Sequence, residues 1–319
     1  GLLRERLTSA LNWRKLWCPG EEAFRWVHGE ADGLPGIIAD LYGDVLSLQV
    51  SAAGWYRHID KVAAVFRKVR KLSAIVLRNE TKHLEKEGMP KEVKLLFGEM
   101  PKEPIKIKMG SVYELVDIEK GQKTGAYLDV RGVPDMISPL FKGARVLDCF
   151  SYQGHFGLHA LAAGASEVVA VEQSQQAIDI AQKNLEINGL PRKMKWKCGN
   201  AFDIMRKMDS DRERFDLVIM DPPPFSPAKG QVESARRGYK ELAVRGFNRI
   251  KDGGHMVFLS CSHAFSREML LSVLNDAARD ACVSCRIALE IHQPIDHPAL
   301  SSVPETDYLK GFVLGVRDQ

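Results

Sequence analysis

No uninterrupted apolar run in this 319-residue sequence approaches the roughly 20 residues that a membrane-spanning helix needs. The opening residues Gly1-Leu2-Leu3-Arg4-Glu5-Arg6 include an acid and lead into no apolar h-region, so a secretory leader is not expected. Cysteine is sparse. The six residues, at 18, 149, 198, 261, 282 and 285, are irregularly spaced, which fits a reduced, cytoplasmic protein better than a disulfide scaffold. Cys282 and Cys285 have CxxC spacing, but no second pair completes a tetrahedral zinc site. No metal is therefore expected, and core packing is expected for these two and for Cys149. Internal repeats, low-complexity tracts and a GxGxxG fingerprint are all missing. Neither sign of charge dominates: 45 Lys and Arg face 41 Asp and Glu, a net +4. With 45% hydrophobic and 27% charged residues, what remains is an ordinary globular chain.

The charge is unevenly placed. Residues 1–145 carry +5 and residues 146–319 carry −1, an asymmetry compatible with a polyanionic partner. Residues 2–17 repeat apolar positions at helical spacing and predict a helix that ends near Cys18-Pro19-Gly20. Short β-type runs follow at 24–27, 36–41 and 45–50, punctuated by Asp32-Gly33-Leu34-Pro35-Gly36 and Tyr42-Gly43-Asp44. An amphipathic helix is expected over 59–72, then a strand at 73–77 and a β region over about 93–117. From Ala144 onward strands and helices alternate: strands at 145–150, 168–172, 215–221 and 254–261, with helices over 156–163 and 267–280. That alternation predicts an α/β fold, a Rossmann-like doubly wound sheet with its ligand site at the strands' C-terminal ends, preceded by a small α+β domain.

Three strand ends carry chemistry. The loop Asp148-Cys149-Phe150-Ser151-Tyr152-Gln153-Gly154 opens a helix, and Glu172, 24 residues after Asp148, can accept hydrogen bonds from a ribose diol. Asp148 puts negative charge where a pyrophosphate would sit, so a cationic nucleoside, S-adenosylmethionine, fits better than a dinucleotide. Asp221-Pro222-Pro223-Pro224-Phe225 follows a buried strand, and its stiffened backbone aims an acid and carbonyl groups into the cleft. Ser260-Cys261-Ser262-His263 ends the next strand on the same rim, where Cys261 is either a nucleophile or a structural thiol. Residues 121–131 and 236–240 mix polar, basic and aromatic groups, suited to holding phosphates and stacking bases or simply to a solvated loop.

Taken together, HGEADGLPG (28–36), GQKTGAYLDVR (121–131), VLDCFSYQGHFG (146–157), IMDPPPF (219–225), RGYKEL (237–242), SCSH (260–263) and DHP…YLKGF (296–312) are specific. With them the chain resembles the YccW-like family of class I S-adenosylmethionine-dependent methyltransferases, which make 5-methylcytosine in large-subunit ribosomal RNA. The resemblance implies three segments: 1–20 as helix and linker, 21–118 as a small α+β domain on the RNA side, and 119–319 as the methyltransferase domain. It implies a cofactor held by Asp148, Phe150, Ser151, Tyr152, Gly154, Glu172, Gln173, Asn200, Ala201 and Asp221, helped by Gln122, Thr124 and Tyr127. Asn200 stands where an Asp often contacts the adenine amino group. It further implies that Cys261 is the attacking thiolate; Asp221 is expected to assist it by its place on the same rim, and Phe225, Arg236, Arg237, Tyr239 and Lys240 are expected from their composition to meet the RNA. The expected partner is large-subunit rRNA or an assembly intermediate, and a homodimer is compatible with the reading. Two departures stand out. Family members usually begin with a PUA domain, which would end before this chain starts, and Pro224 replaces a common Lys. Two rival readings are kept: an amino-group methyltransferase of guanine or adenine, in which Cys261 is inert, and a non-catalytic RNA-binding or assembly factor that retains the cofactor pocket.

Overall fold

The computed structural model describes residues 1–80, 82–211, 213–225 and 232–318. By contacts the chain divides into two compact units, Gly1–Arg131 with Gln293–Asp307, and Gly132–His292 with Tyr308–Gln319. The boundary near the middle of the chain lies at Arg131 where the sequence pattern placed it at 118, and residues 293–307 return to the first unit.

The first unit opens with helix α1 (Leu2–Trp17), whose buried residues Leu7, Ala10, Leu11 and Arg14 recur at helical spacing. Strands β1 (Ala23–His28), β2 (Ile37–Tyr42) and β3 (Val45–Val50) form an antiparallel meander. Tyr42 pairs with Val45, so Gly43-Asp44 is a two-residue hairpin loop, and Gly43 supplies the positive φ (+63°) that such a loop demands. A short helix α2 (Ala53–Tyr56) and the amphipathic α3 (Ile59–Val69) cross over to β4 (Ala74–Asn79), which lies parallel to β3. Strand β5 (Glu92–Gly98) completes the five-stranded sheet in the order β1-β2-β3-β4-β5. One face packs on α1 and α3 through Leu7, Leu11, Trp26, Val62 and Phe66. The other face meets Ile107, Met109 and Val116 from the hairpin β6 (Ile105–Met109) and β7 (Val112–Val116). The single β region expected over 93–117 is thus three strands in two sheets.

In the second unit, α4 (Val133–Met136) precedes β8 (Arg145–Cys149), α5 (His155–Ala162), β9 (Glu167–Glu172), α6 (Gln175–Ile187), β10 (Met194–Cys198), α7 (Ala201–Asp211), β11 (Phe215–Met220), α8 (Val232–Phe247) and β12 (Ile250–Ser260). Helix α9 (Arg267–Asp280) then leads to β13 (Val283–His292) and β14 (Lys310–Asp318). The seven strands run in the order β10-β9-β8-β11-β12-β14-β13. The first five are mutually parallel, while β14 lies antiparallel to both β12 and β13. The doubly wound sheet is as expected; its closing antiparallel pair, and edge strand β10, are additions. Chain order reverses between β8 and β11, so a crevice opens beyond the C-terminal ends of those two strands. Among the described residues no helix is long and apolar enough to cross a membrane.

The first unit carries a testable liability. The Arg14 side chain is wholly buried, and its guanidinium grips both carboxylate oxygens of Asp32, one at 2.8 Å. It also donates to the carbonyls of Arg25 and Asp296, each at 2.8 Å. Removing one partner of a buried pair strands the other charge, so Asp32→Ala should destabilise the protein by about 3–5 kcal/mol. The exposed Glu5→Ala control should stay within about 0.5 kcal/mol. Urea unfolding reads both; a loss below about 1 kcal/mol for Asp32→Ala would mean that the carbonyls alone satisfy Arg14.

Candidate active site

The loop after β8 is built under strain. Phe150 (φ +63°) and Tyr152 (φ +48°) both adopt the left-handed region, and Gly154 follows at +83°. Aromatic residues pay a steric penalty there that is normally kept only where a site requires it. The loop is pinned by Ser151 N–H to Val171 O (3.1 Å), Tyr152 N–H to Glu172 Oε2 (2.8 Å) and Asn184 Nδ2 to Gln153 O (3.3 Å). Gly154 is required by packing as well as by φ, since a Cβ would come within 3.3 Å of Ala181 Cβ and of the Trp196 ring.

Asp148, at the foot of this loop, is fully buried. Its Oδ2 accepts the Gly157 N–H at 3.1 Å, and its Oδ1 has no hydrogen-bond partner among the described residues. Burial pushes its carboxyl up to about 7; the Gly157 N–H opposes the shift, and the negative charges of Asp221 and Glu172 add to it. Glu172 is held rigidly, Oε1 accepting the Ser174 N–H at 2.9 Å and Oε2 that of Tyr152. Each of its oxygens retains a lone pair for a hydroxyl. Gln173 is exposed beside it. Asn200 behaves differently from expectation: its Oδ1 caps α7 by accepting the Phe202 N–H at 2.9 Å, which reduces what it offers an adenine. Ala201, buried, starts that helix.

Beyond β11, Asp221 is half-buried and its N–H points to Cys149 O at 3.5 Å. Phe225 turns back on α8, its ring 4.7 Å from that of Tyr239 and within 3.3 Å of where a Cβ on Gly238 would sit. At the end of β12, Cys261 is half-buried between Ser260 and Ser262, both buried. Ser260 Oγ donates to the Tyr239 hydroxyl at 2.9 Å. Lys310 Nζ donates to Ser262 O at 2.8 Å and Phe265 O at 2.7 Å, and His263 stacks on Tyr308 at 5.4 Å. Of the remaining cysteines, Cys149 contacts Met205 Sδ in the core, and burial drives its thiol far up. Burial raises Cys18 too and pushes Cys285 to about 11. Cys282 is exposed in a turn at φ +54°, not in the core as expected.

Two groups of expected ligands need correction. Tyr239 is fully buried in the core with Ala235, Leu242 and Ala243, so it cannot stack on an RNA base. Arg236 is bound to Asp276 (2.7 Å) and Ser272 (3.2 Å), and Lys240 to Asp280 (2.8 Å), pairs that fasten α8 to α9. Arg237 alone of this set is exposed. The period of α8 contained this signal, because 235, 239, 242 and 243 form one apolar stripe. In the first unit, Thr124 is also fully buried, its hydroxyl donating to Asp40 Oδ2 at 2.6 Å and lying 3.1 Å from the Tyr42 hydroxyl. That leaves it no surface for a cofactor. Gln122 and Tyr127 hydrogen-bond each other in the same segment, where Lys123 pairs with Asp129 at 2.6 Å.

Comparison with known proteins follows the same lines. The family model described as Conserved hypothetical protein 95 matches residues 130–235. A ribosomal RNA large subunit methyltransferase I from Alteromonas mediterranea is 37% identical over 321 residues, spanning 100% of this chain and 81% of that protein. Among solved structures, a putative SAM-dependent methyltransferase from Streptococcus mutans superposes with a TM-score of 0.86 at 19% identity, covering 98% of this chain and 81% of that one. A putative methyltransferase complexed with SAH gives 0.85 at 20% identity, with the same coverage. At these identities the structural likeness establishes the fold.

The Asp148 geometry has a pH signature. A cationic ligand beside a carboxyl that titrates at about 7 favours the ionised form, so binding releases a proton and affinity rises as pH climbs through about 7, then levels. Calorimetry with S-adenosylmethionine between pH 6 and 8.5, in two buffers of different ionisation enthalpy, should show this release. Asp148→Asn should bind more weakly and lose the pH dependence. Wild-type affinity that is flat across this range would place the ligand's cation elsewhere.

Proposed function

The chain belongs to the family of ribosomal RNA large subunit methyltransferase I, and from that premise we propose that it transfers a methyl group from S-adenosylmethionine to C5 of a cytosine in large-subunit rRNA through a covalent Cys261 adduct. The residues fit the cofactor. The partnerless buried oxygen of Asp148 suits an ammonium group, and the fixed, half-buried carboxylate of Glu172 suits a pair of ribose hydroxyls. When bound, S-adenosylmethionine supplies an electrophilic methyl carbon.

The observation that carries the choice of atom is Cys261, a half-buried thiol at the C-terminal end of β12, which, like Asp221, lies near the buried Tyr239 hydroxyl. C5 of an intact cytosine is a poor nucleophile. Addition of the Cys261 thiolate to C6 forms an S–C6 bond and moves the ring's electron pair onto C5. After C5 has been methylated, loss of its proton and breakage of the S–C6 bond restore the aromatic ring and return the thiolate. Asp221, at the N3/N4 edge of the base, stabilises the ring as charge builds. The base must be single-stranded or flipped out for both faces to be reached. This substrate places the enzyme in the cytoplasm. The amino-group alternative needs Phe225 to stack on the target base, whereas its ring packs on Gly238 and Tyr239.

RNA carrying 5-fluorocytosine tests the covalent step, because fluorine does not leave as a proton does. A complex that survives denaturing gels, depends on S-adenosylmethionine and maps to Cys261 is expected. Cys261→Ser should abolish trapping and slow methylation by at least about a hundredfold, since an alkoxide forms far less readily than a thiolate. Near-normal C5 methylation by Cys261→Ser would reject the covalent mechanism. An N-methylated product, identified by mass spectrometry of the nucleosides, would put the amino-group reading in its place.

A further inference from the structure

Helix α3 of the first unit buries Ile59, Val62, Ala63 and Phe66 against the five-stranded sheet, and that packing fixes which of its side chains face outward. Lys61 and Lys68 lie on the opposite side, seven residues and about 10 Å apart along the axis, and both are exposed. Arg67 is exposed too, its guanidinium resting 3.5 Å over the Phe97 ring of β5. Lys94 of β5 pairs with Leu77, a core residue beneath α3, so it projects from the sheet on the α3 side and is exposed. Half-buried Arg70 donates to Gly43 O at 3.3 Å, tying the helix end to the β2–β3 hairpin, and exposed Lys71 follows it. Across residues 57–71 six cations meet one acid, Asp60. Among the described residues no ion pair engages Lys61, Arg67, Lys68, Lys71 or Lys94, whereas Arg236 and Lys240 of α8 are each held by an aspartate.

We propose that the exposed side of α3, together with Lys94 of β5, binds the phosphate backbone of the large-subunit rRNA substrate. The inference rests on the rRNA part of the reading above and is independent of which atom is methylated. An ordinary solvent-facing helix mixes charges of both signs. The helix dipole accounts for cations in the last turn, Arg67 and Lys68, but it disfavours one at the third helical position, where Lys61 stands. Crowding like charges costs stability in the free protein, and a polyanion laid along the face reverses that cost. Lysines meet phosphates as point charges and read no bases, so this face supplies affinity and not the choice of nucleotide. Arg67, already steadied by Phe97, gives up less side-chain freedom on binding than the lysines do.

The test uses the full chain and large-subunit rRNA made by transcription, with binding measured without cofactor between about 0.05 and 0.3 M potassium chloride. The triple variant Lys61→Gln, Lys68→Gln, Lys71→Gln should bind about a hundredfold more weakly at about 0.1 M salt. Its slope of log affinity against log salt should be shallower by about 2–3. The RNA KM should rise while kcat at saturating RNA and the S-adenosylmethionine Kd stay at wild-type values. Changing three exposed cations of the second unit, Lys183, Arg192 and Lys193, to Gln removes the same charge and should leave the slope alone. A wild-type slope in the folded α3 triple overturns the proposal, and so does an equal loss of slope in the control. Intact RNA binding with weakened binding to anionic phospholipid vesicles overturns it as well, and makes the face a membrane contact. If the triple does not fold, Lys61→Gln and Lys68→Gln decide singly, each expected to lower the slope by about 1. The two readings fail separately: a shallower slope with an N-methylated nucleoside as product would leave this surface standing and remove the C5 reading. C5 methylation with an unchanged slope would do the reverse.

Discussion

The second unit is organised by one electrostatic constraint: Asp148, Glu172 and Asp221 all sit at the C-terminal ends of adjacent parallel strands, and the first of them is fully buried. Parallel strands deliver their ends to a single edge, so acids placed there repel one another. The backbone absorbs part of that cost. Tyr152 and Ser174 give their N–H groups to Glu172, and Gly157 gives its own to Asp148. To present Tyr152 in this way the loop twists through two aromatic residues at positive φ, at about 1–3 kcal/mol each. Packing of the Phe150 side chain against the sheet's core offsets some of it. What is left over, one buried carboxylate oxygen, is an unmet demand for a positive group.

Ion pairs in the first unit account for motifs that look functional in sequence. His28 and Asp32 from the 28–36 segment, Thr124, Asp129 and Arg131 from 121–131, and Asp296-His297 meet in one buried network. His28 N–H donates to Asp32, Thr124 to Asp40, and Arg25 to both oxygens of Asp40. Arg131 pairs with Glu21 at 2.9 Å and Asp296 at 3.3 Å. The network binds Asp296 in the returning segment to Arg25 of β1, 271 residues earlier. Removing one of its charged members leaves an uncompensated charge, which is reason enough for such segments to be distinctive.

Much of the fold was legible because periodicity records burial. Helices 2–17 and 267–280 appear at their expected ends, and the β8, β9, β11 and β12 runs were recognisable as apolar blocks. Strand β10 was not, because Lys195 and Lys197 alternate with Met194 and Trp196 at a sheet edge, giving too weak an apolar signal. Among site residues, the strand-end acids and Cys261 follow from topology alone. Thr124 was misread because its partner, Asp40, is 84 positions away. Tyr239, Arg236 and Lys240 were grouped by composition, whereas helical period assigns them to different faces: the tyrosine to the sheet and the two cations to α9.

That redistribution changes how the substrate must be held. With Arg236 and Lys240 neutralised by Asp276 and Asp280, α8 offers a phosphate backbone only Arg237 from its expected set. A single exposed arginine contributes about one phosphate contact, far short of the several that give RNA binding its affinity. The positive excess of residues 1–145 does not single out the first unit either, because its returning segment 293–307 adds Asp296, Glu305 and Asp307 and brings that unit to +1. In the proposed reaction the second unit's rim of Asp148, Glu172, Asp221 and Cys261 meets one cofactor and one base, and neither needs a phosphate contact from α8.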